Sequence, residues 1–317
     1  MRRNSVQKNK IGWHLVALFT IVVWGTTFIA SKYLLDFGFT PVQIIIVRFI
    51  LAYVSLWIIR PQWSKPVLKD ELGYLVLGLF GCTVYFWAEN NAILHTIPSN
   101  VSILVSLAPI MTAILAHFFT RDEKLSKNVI IGAAFAIVGV VLVVFNGTMV
   151  LKLSPVGDLL SLAAALCWAI YSLFLKRFVQ NTDPVVLSRQ TMFYGLITAI
   201  PLLLIENKPI PAIPVGDWLF WLCLVFLGIL ASAVCYVTWN VATKELGIIA
   251  TNNYIYVLPF VTLILDAVLL GHSITLMGAA GSVLLVLGVA IGGKIRKKTI
   301  PTDITKTETE NSDNKND

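Results

Sequence analysis

Ten runs of about twenty apolar residues constrain this chain more than any other feature. A helix rises about 1.5 Å per residue, so about 20 residues are needed to cross the hydrocarbon layer of a bilayer. Runs of that length fall at about 12–32, 41–60, 72–94, 98–119, 128–147, 155–177, 184–205, 217–243, 248–270 and 274–293. Within lipid each backbone N–H and C=O must be satisfied inside its own segment, which restricts such runs to helices. The expected fold is therefore an all-α membrane protein with ten transmembrane helices. Pro41, Pro98, Pro155 and Pro184 open four of the runs, at the one helical position where a missing N–H costs least. The run at Ile11 to Ala30 follows a basic stretch and is too long for a signal-peptide core, so it reads as an uncleaved first helix.

The chain has a formal charge of +7 at pH 7, which raises the question of a nucleic-acid partner. Position answers against it, because the basic residues sit in short connections and at the ends. With the N-terminus placed in the cytoplasm, nineteen Lys and Arg fall on the inner side and three (Lys32, Lys152, Lys208) on the outer side. That asymmetry predicts an even number of crossings, with both termini cytoplasmic. Residues 1–11 are then a cytoplasmic N-terminus, and 294–317 a polar, disordered cytoplasmic tail. The four cysteines all lie in apolar runs, with no CxxC and no Cys/His set, and read as packing thiols.

Against this apolar background a few polar side chains stand out. Glu89 and Asn90 lie inside the third run, with Tyr85 one turn earlier on the same face. An ionisable group at membrane depth is costly unless it faces a cavity or a partner, so Glu89 is the first functional candidate and the candidate for proton coupling. Trp24 and Thr27 share a face of the first helix; Ser102 and Ser106 form a stripe on the fourth. Asn252, Asn253 and Tyr256 lie on the ninth helix, Trp168 and Tyr171 on the sixth, and Asn240 on the eighth. The serine stripe reads equally as helix packing or cavity lining. Arg48 and Glu89 lie at similar depth and are expected to pair. Arg189 is weighed between accepting an anionic substrate group and reaching to the inner interface. No catalytic residue, metal-ligand set or cofactor motif is found; Gly288 to Lys294 imitates a phosphate-binding loop only by letters, since Ile295 replaces the Ser/Thr and a membrane helix precedes it.

The chain also repeats itself. Trp24 and Lys32 match Trp168 and Lys176 at an offset of 144; Gly78, Ala92 and Pro109 match Gly228, Ala242 and Pro259 at 150; Gly132 and Gly139 match Gly281 and Gly288 at 149. Each half holds five runs, and an odd count makes the second half enter the membrane from the opposite side. This is an inverted-topology repeat, with residues 12–147 as the first unit and 155–293 as the second.

These residues carry a resemblance. Trp24-Gly25-Thr26-Thr27-Phe28, Pro41 through Arg48, Pro109 in an alanine- and serine-rich span, Arg121-Asp122-Glu123 and Gly132…Gly139 resemble one EamA-type repeat, and residues 157–292 resemble a second. The resemblance, over about 15–146 and 157–292, implies the drug/metabolite transporter superfamily: two inverted five-helix repeats, exporting small metabolites. The expectation is a secondary transporter of the plasma or inner membrane that moves amino acids or related organic compounds outward. One repeat would rock against the other, and a second copy of the chain is a candidate partner beside substrate and lipid. The alternatives are an importer or exchanger of sugar phosphates or nucleotide sugars, and a non-transporting sensor. An enzyme is not expected.

Overall fold

A computed structural model describes residues 2–62, 67–119, 127–145, 154–213, 215–269 and 276–292. The described residues form helices and turns, with no strand among them. The first half contains α1 (Arg2–Asp36), α2 (Pro41–Ile59), α3 (Leu68–His95), α4 (Pro98–Phe119) and α5 (Lys127–Phe145). The second contains α6 (Pro155–Phe178), α7 (Pro184–Glu206), α8 (Trp218–Leu246), α9 (Ile248–Leu269) and α10 (Leu276–Gly292). Eight of these, α1 to α4 and α6 to α9, are long and apolar enough to cross a membrane. This is a multi-pass membrane protein. The tail from 294, the Arg121-Asp122-Glu123 turn and Lys152 lie outside the described residues. Helix α1 runs back to Arg2, further than the sequence expectation of 12, because no proline interrupts residues 2–11.

Helix starts follow the local chemistry. Thr40 and Gln43 bond reciprocally across the first turn of α2, with Pro41 inside it. Ser154 caps α6, Asp183 caps α7 and Asp217 caps α8 through backbone N–H groups.

Four helices are irregular, and the irregularities recur at the repeat offset. Helix α3 widens to i→i+5 turns at Leu79–Thr83, and α8 does so at Phe226–Val234. Helix α4 breaks at Ser106 and Leu107, and α9 tightens to a 3₁₀ segment at Asn253–Val257. Each of the latter immediately precedes the helix turn carrying Pro109 or Pro259, whose rings clash with a carbonyl four residues back and lack an N–H. Widened turns leave carbonyls without their usual helical partner. Two repeat-equivalent carbonyls there are satisfied from other helices: Tyr236 Oη donates to Gly81 O at 2.5 Å, and Trp24 Nε1 donates to Ala231 O at 2.9 Å.

Close packing runs between the halves. Helix α1 packs on α8, α2 on α7 and α8, α3 on α6 and α7, α4 on α6, and α5 on α10. Glycines permit two of these approaches. A Cβ on Gly78 would lie 2.5 Å from Gly195 N of α7, and one on Gly228 would lie 2.6 Å from Leu51 Cβ of α2. The four cysteines are free and buried.

Candidate functional site

The pocket around Glu89 is assembled from five helices of both halves. Helix α1 brings Trp24, Thr27 and Phe28; α3 brings Tyr85, Phe86 and Glu89. Trp168 of α6, Val105 of α4, and Ile255 and Leu258 of α9 close it. The aromatic walls brace one another. Trp24 meets Trp168 edge-on at 5.1 Å between centroids, Tyr85 lies 5.4 Å from Trp168, and Tyr85 and Phe86 stand at right angles at 4.7 Å. The clear space between them admits little more than a water molecule.

Glu89 is 1% exposed, and its Oε1 has no hydrogen-bond partner. The Tyr85 hydroxyl lies beside the carboxylate, one turn earlier on the same face. Burial of a carboxylate without a full set of partners is costly, and here that carboxylate faces a cavity.

Arg48 does not pair with Glu89. Its Nε donates to Ser232 Oγ at 3.0 Å, its guanidinium carbon lies 3.9 Å from the Phe86 ring centroid, and Nη1 and Nη2 have no partner. It borders a separate small cavity with Leu34, Phe39 and Leu227. Equal depth does not set direction around the helix. The π face of Phe86 and the hydroxyl in the widened turn of α8 hold the cation instead. Ser232 in turn donates to Leu227 O, five residues back, at 2.7 Å.

Arg189 does not reach the pocket either. Nη1 donates to Arg60 O at 2.7 Å, Nη2 donates to Gln62 O, and the guanidinium lies over Trp57 at 4.0 Å. These are the carbonyls beyond the C-terminus of α2, where a cation also suits the helix dipole. The anion-accepting role is corrected: Arg189 fastens the end of α2.

The remaining candidates divide. Ser102 and Ser106 turn their hydroxyls to Ser99 O and Ile103 O of their own helix, which is packing chemistry. Asn252 accepts from Trp168 Nε1 at 3.0 Å and from Ser172 Oγ at 3.3 Å, so it fixes the indole. Asn252, Asn253 and Tyr256 border a larger cavity between α4, α5, α9 and α10, with Pro109 and Thr112 opposite. Asn240 donates to Ser188 Oγ at 3.0 Å, while both amide atoms of Asn90 and the Tyr171 hydroxyl are buried without partners. Sequence reasoning missed Phe28 and Phe86 as pocket walls; Phe28 lies one turn beyond Trp24, which is the signal that could have found it. No group of three His, Cys, Asp or Glu able to hold a metal occurs among the described residues.

A model of the EamA-like transporter family matches residues 11–145 and 155–292. The chain belongs to the EamA-like transporter family. EamA relatives match over nearly full length. The chain is 31% identical over 275 residues to the uncharacterized transporter YyaM of Bacillus subtilis strain 168, covering 84% of this chain and 88% of that protein. It is 27% identical over 293 residues to a protein of Salmonella typhimurium strain LT2 named a probable amino-acid metabolite efflux pump, covering 89% and 96%. A solved crystal structure at 21% identity shares the fold with a TM-score of 0.68, over 90% of this chain and 99% of that one. This EamA protein is a membrane transporter and not an enzyme.

Proposed function

We propose that this protein is a secondary transporter that exports small polar metabolites, amino acids or related organic compounds, from the cell by alternating access. The observation that carries the reading is Glu89: a buried carboxylate, short of partners, facing a pocket built by helices of both halves. The name of the Salmonella relative supports the substrate class. The proposal includes ten crossings in two inverted five-helix repeats at 12–147 and 155–293, in the plasma or inner membrane, with both termini cytoplasmic. The charge asymmetry supports that orientation. The recurrence of widened and broken turns at the repeat offset supports the repeat.

Inverted repeats commonly place their site where the halves meet and use discontinuous helices there. Proline-broken α4 and α9 border the pocket, and its clear space is narrow. Passage therefore needs the walls to part, which the irregular turns permit more cheaply than continuous helix. Because packing crosses between halves, the moving bodies combine helices from both repeats. Glu89 is the group proposed to carry a coupling proton. A sugar-phosphate exchanger is disfavoured, because the described lining residues include no cation.

The test is metabolite export from cells with and without the protein, repeated with Glu89→Gln and with the proton gradient collapsed. Export that depends on the protein and on Glu89 is expected. Identical external metabolites in all strains would end the reading; export unchanged without a gradient would remove proton coupling alone.

A further inference from the structure

We infer that the Glu89 pocket recognises the cationic amine of its substrate and does not read a carboxylate. The inference rests on that pocket being the site of transport, and it makes the amine the recognised feature of the substrate, with or without a carboxylate beside it.

Three observations carry it. First, Glu89 is the one charged side chain among the described lining residues, and five rings line the same pocket: Trp24, Phe28, Tyr85, Phe86 and Trp168. Aromatic faces around a carboxylate attract ammonium and quaternary ammonium groups through the ring quadrupole and direct charge.

Second, the tryptophan and threonine donors that line the pocket are engaged elsewhere. Trp24 Nε1 donates to Ala231 O, Trp168 Nε1 donates to Asn252 Oδ1, and the Thr27 hydroxyl donates to Trp24 O at 2.6 Å. The tryptophans thus show the pocket their rings and keep their N–H groups outside it. The Tyr85 hydroxyl lies beside Glu89. Arg189 is held at the end of α2, and Arg48, bonded through Nε to Ser232 and stacked on Phe86 with Nη1 and Nη2 unpartnered, borders a separate cavity and does not line this one. A substrate carboxylate would therefore enter beside Glu89 with no cation among the described lining residues to meet it, a costly burial. Arg48 weakens the negative potential at Glu89 without pairing with it.

Third, the clear space is about water-sized, which matches a primary ammonium head group, whereas the three heavy atoms of a carboxylate need more room.

The experiment is calorimetric binding to the purified full-length protein in lipid nanodiscs. The probes share one ring: 2-phenylethylamine, phenylalanine, 3-phenylpropanoate and 2-phenylethanol. The amine and the amino acid are expected to bind within about threefold of each other, and the acid and alcohol at least about tenfold more weakly. Glu89→Gln should erase that preference while a thermal melt shows intact protein, and Arg189→Gln should retain it. Equal binding of acid and amine, an amine preference that survives Glu89→Gln, or no amine binding at millimolar concentration to folded protein would overturn the inference. Amine binding without any cellular export would sink the export reading alone; protein-dependent export of amino acids without amine preference in binding would sink this inference alone.

Discussion

Helix α3 widens at Leu79–Thr83 and, six residues later, presents Glu89 to the pocket; helix α8 widens at Phe226–Val234 and presents Trp239 at the equivalent place. The scaffolding of the two is closely matched. Each has a glycine at the start of its irregular stretch that admits the partner helix of the other half, and each has a carbonyl there answered by an aromatic side chain. The chemistry differs. Trp239 packs 5.0 Å from Trp24 and fills space, whereas Glu89 carries charge toward a cavity. The arginines also differ, though both are buried: Arg48 lies on Phe86, and Arg189 binds the carbonyls at the end of α2. Backbone geometry is common to the halves because both must let helices approach; the side chains at the centre diverge, with a carboxylate in the first half and a tryptophan in the second.

The largest expected effect tests the chemical half of that contrast. Glu89→Gln should reduce transport on the order of 100-fold, through loss of a desolvated charge contact, with unfolding unchanged; rates measured in proteoliposomes check it, and near-normal transport would make Glu89 no different from Trp239. Next is the scaffold. Gly78→Ala and Gly228→Ala should each destabilise by about 2–3 kcal/mol, because the new Cβ meets backbone of α7 in the first case and Leu51 Cβ, fixed to the backbone of α2, in the second. Denaturation in detergent compares the two, and a large cost at only one of them would break the assigned equivalence. Arg189→Gln should lower stability by about 2 kcal/mol through lost charged hydrogen bonds, with KM for transport unchanged. The smallest effect belongs to Tyr236→Phe, which leaves Gly81 O without its donor at a cost of about 1 kcal/mol. Trp24→Phe, which frees Ala231 O, should match it in melting temperature but also alter substrate affinity, since Trp24 lines the pocket.

Much of the architecture is legible in local sequence. Span length against bilayer thickness, prolines at helix starts and capping side chains such as Thr40 and Asp183 are properties of a few neighbouring residues. The repeat is legible because Gly78 and Gly228 obey the same packing constraint. Of the site, Glu89, Tyr85, Trp24, Thr27 and Trp168 are reached by asking which polar or amphipathic groups sit at membrane depth. The Arg48 contact is not, since spacing gives depth but not azimuth, and its partner Ser232 lies 184 residues away. Nor is the end-capping role of Arg189, whose acceptors are backbone carbonyls that no side-chain pattern reveals. The i→i+5 turns have no sequence rule of comparable strength; only the glycines hint at them.

The crossing of contacts between the halves has a consequence for how the molecule comes into being. Neither set of five helices owns a finished interior: α2 lies in the notch of α8, and α7 in the notch of α3. During synthesis the helices of the first half must wait with their inner faces unsatisfied until those of the second arrive. A chain severed between them would leave two pieces that have to reunite before either could hold a ligand.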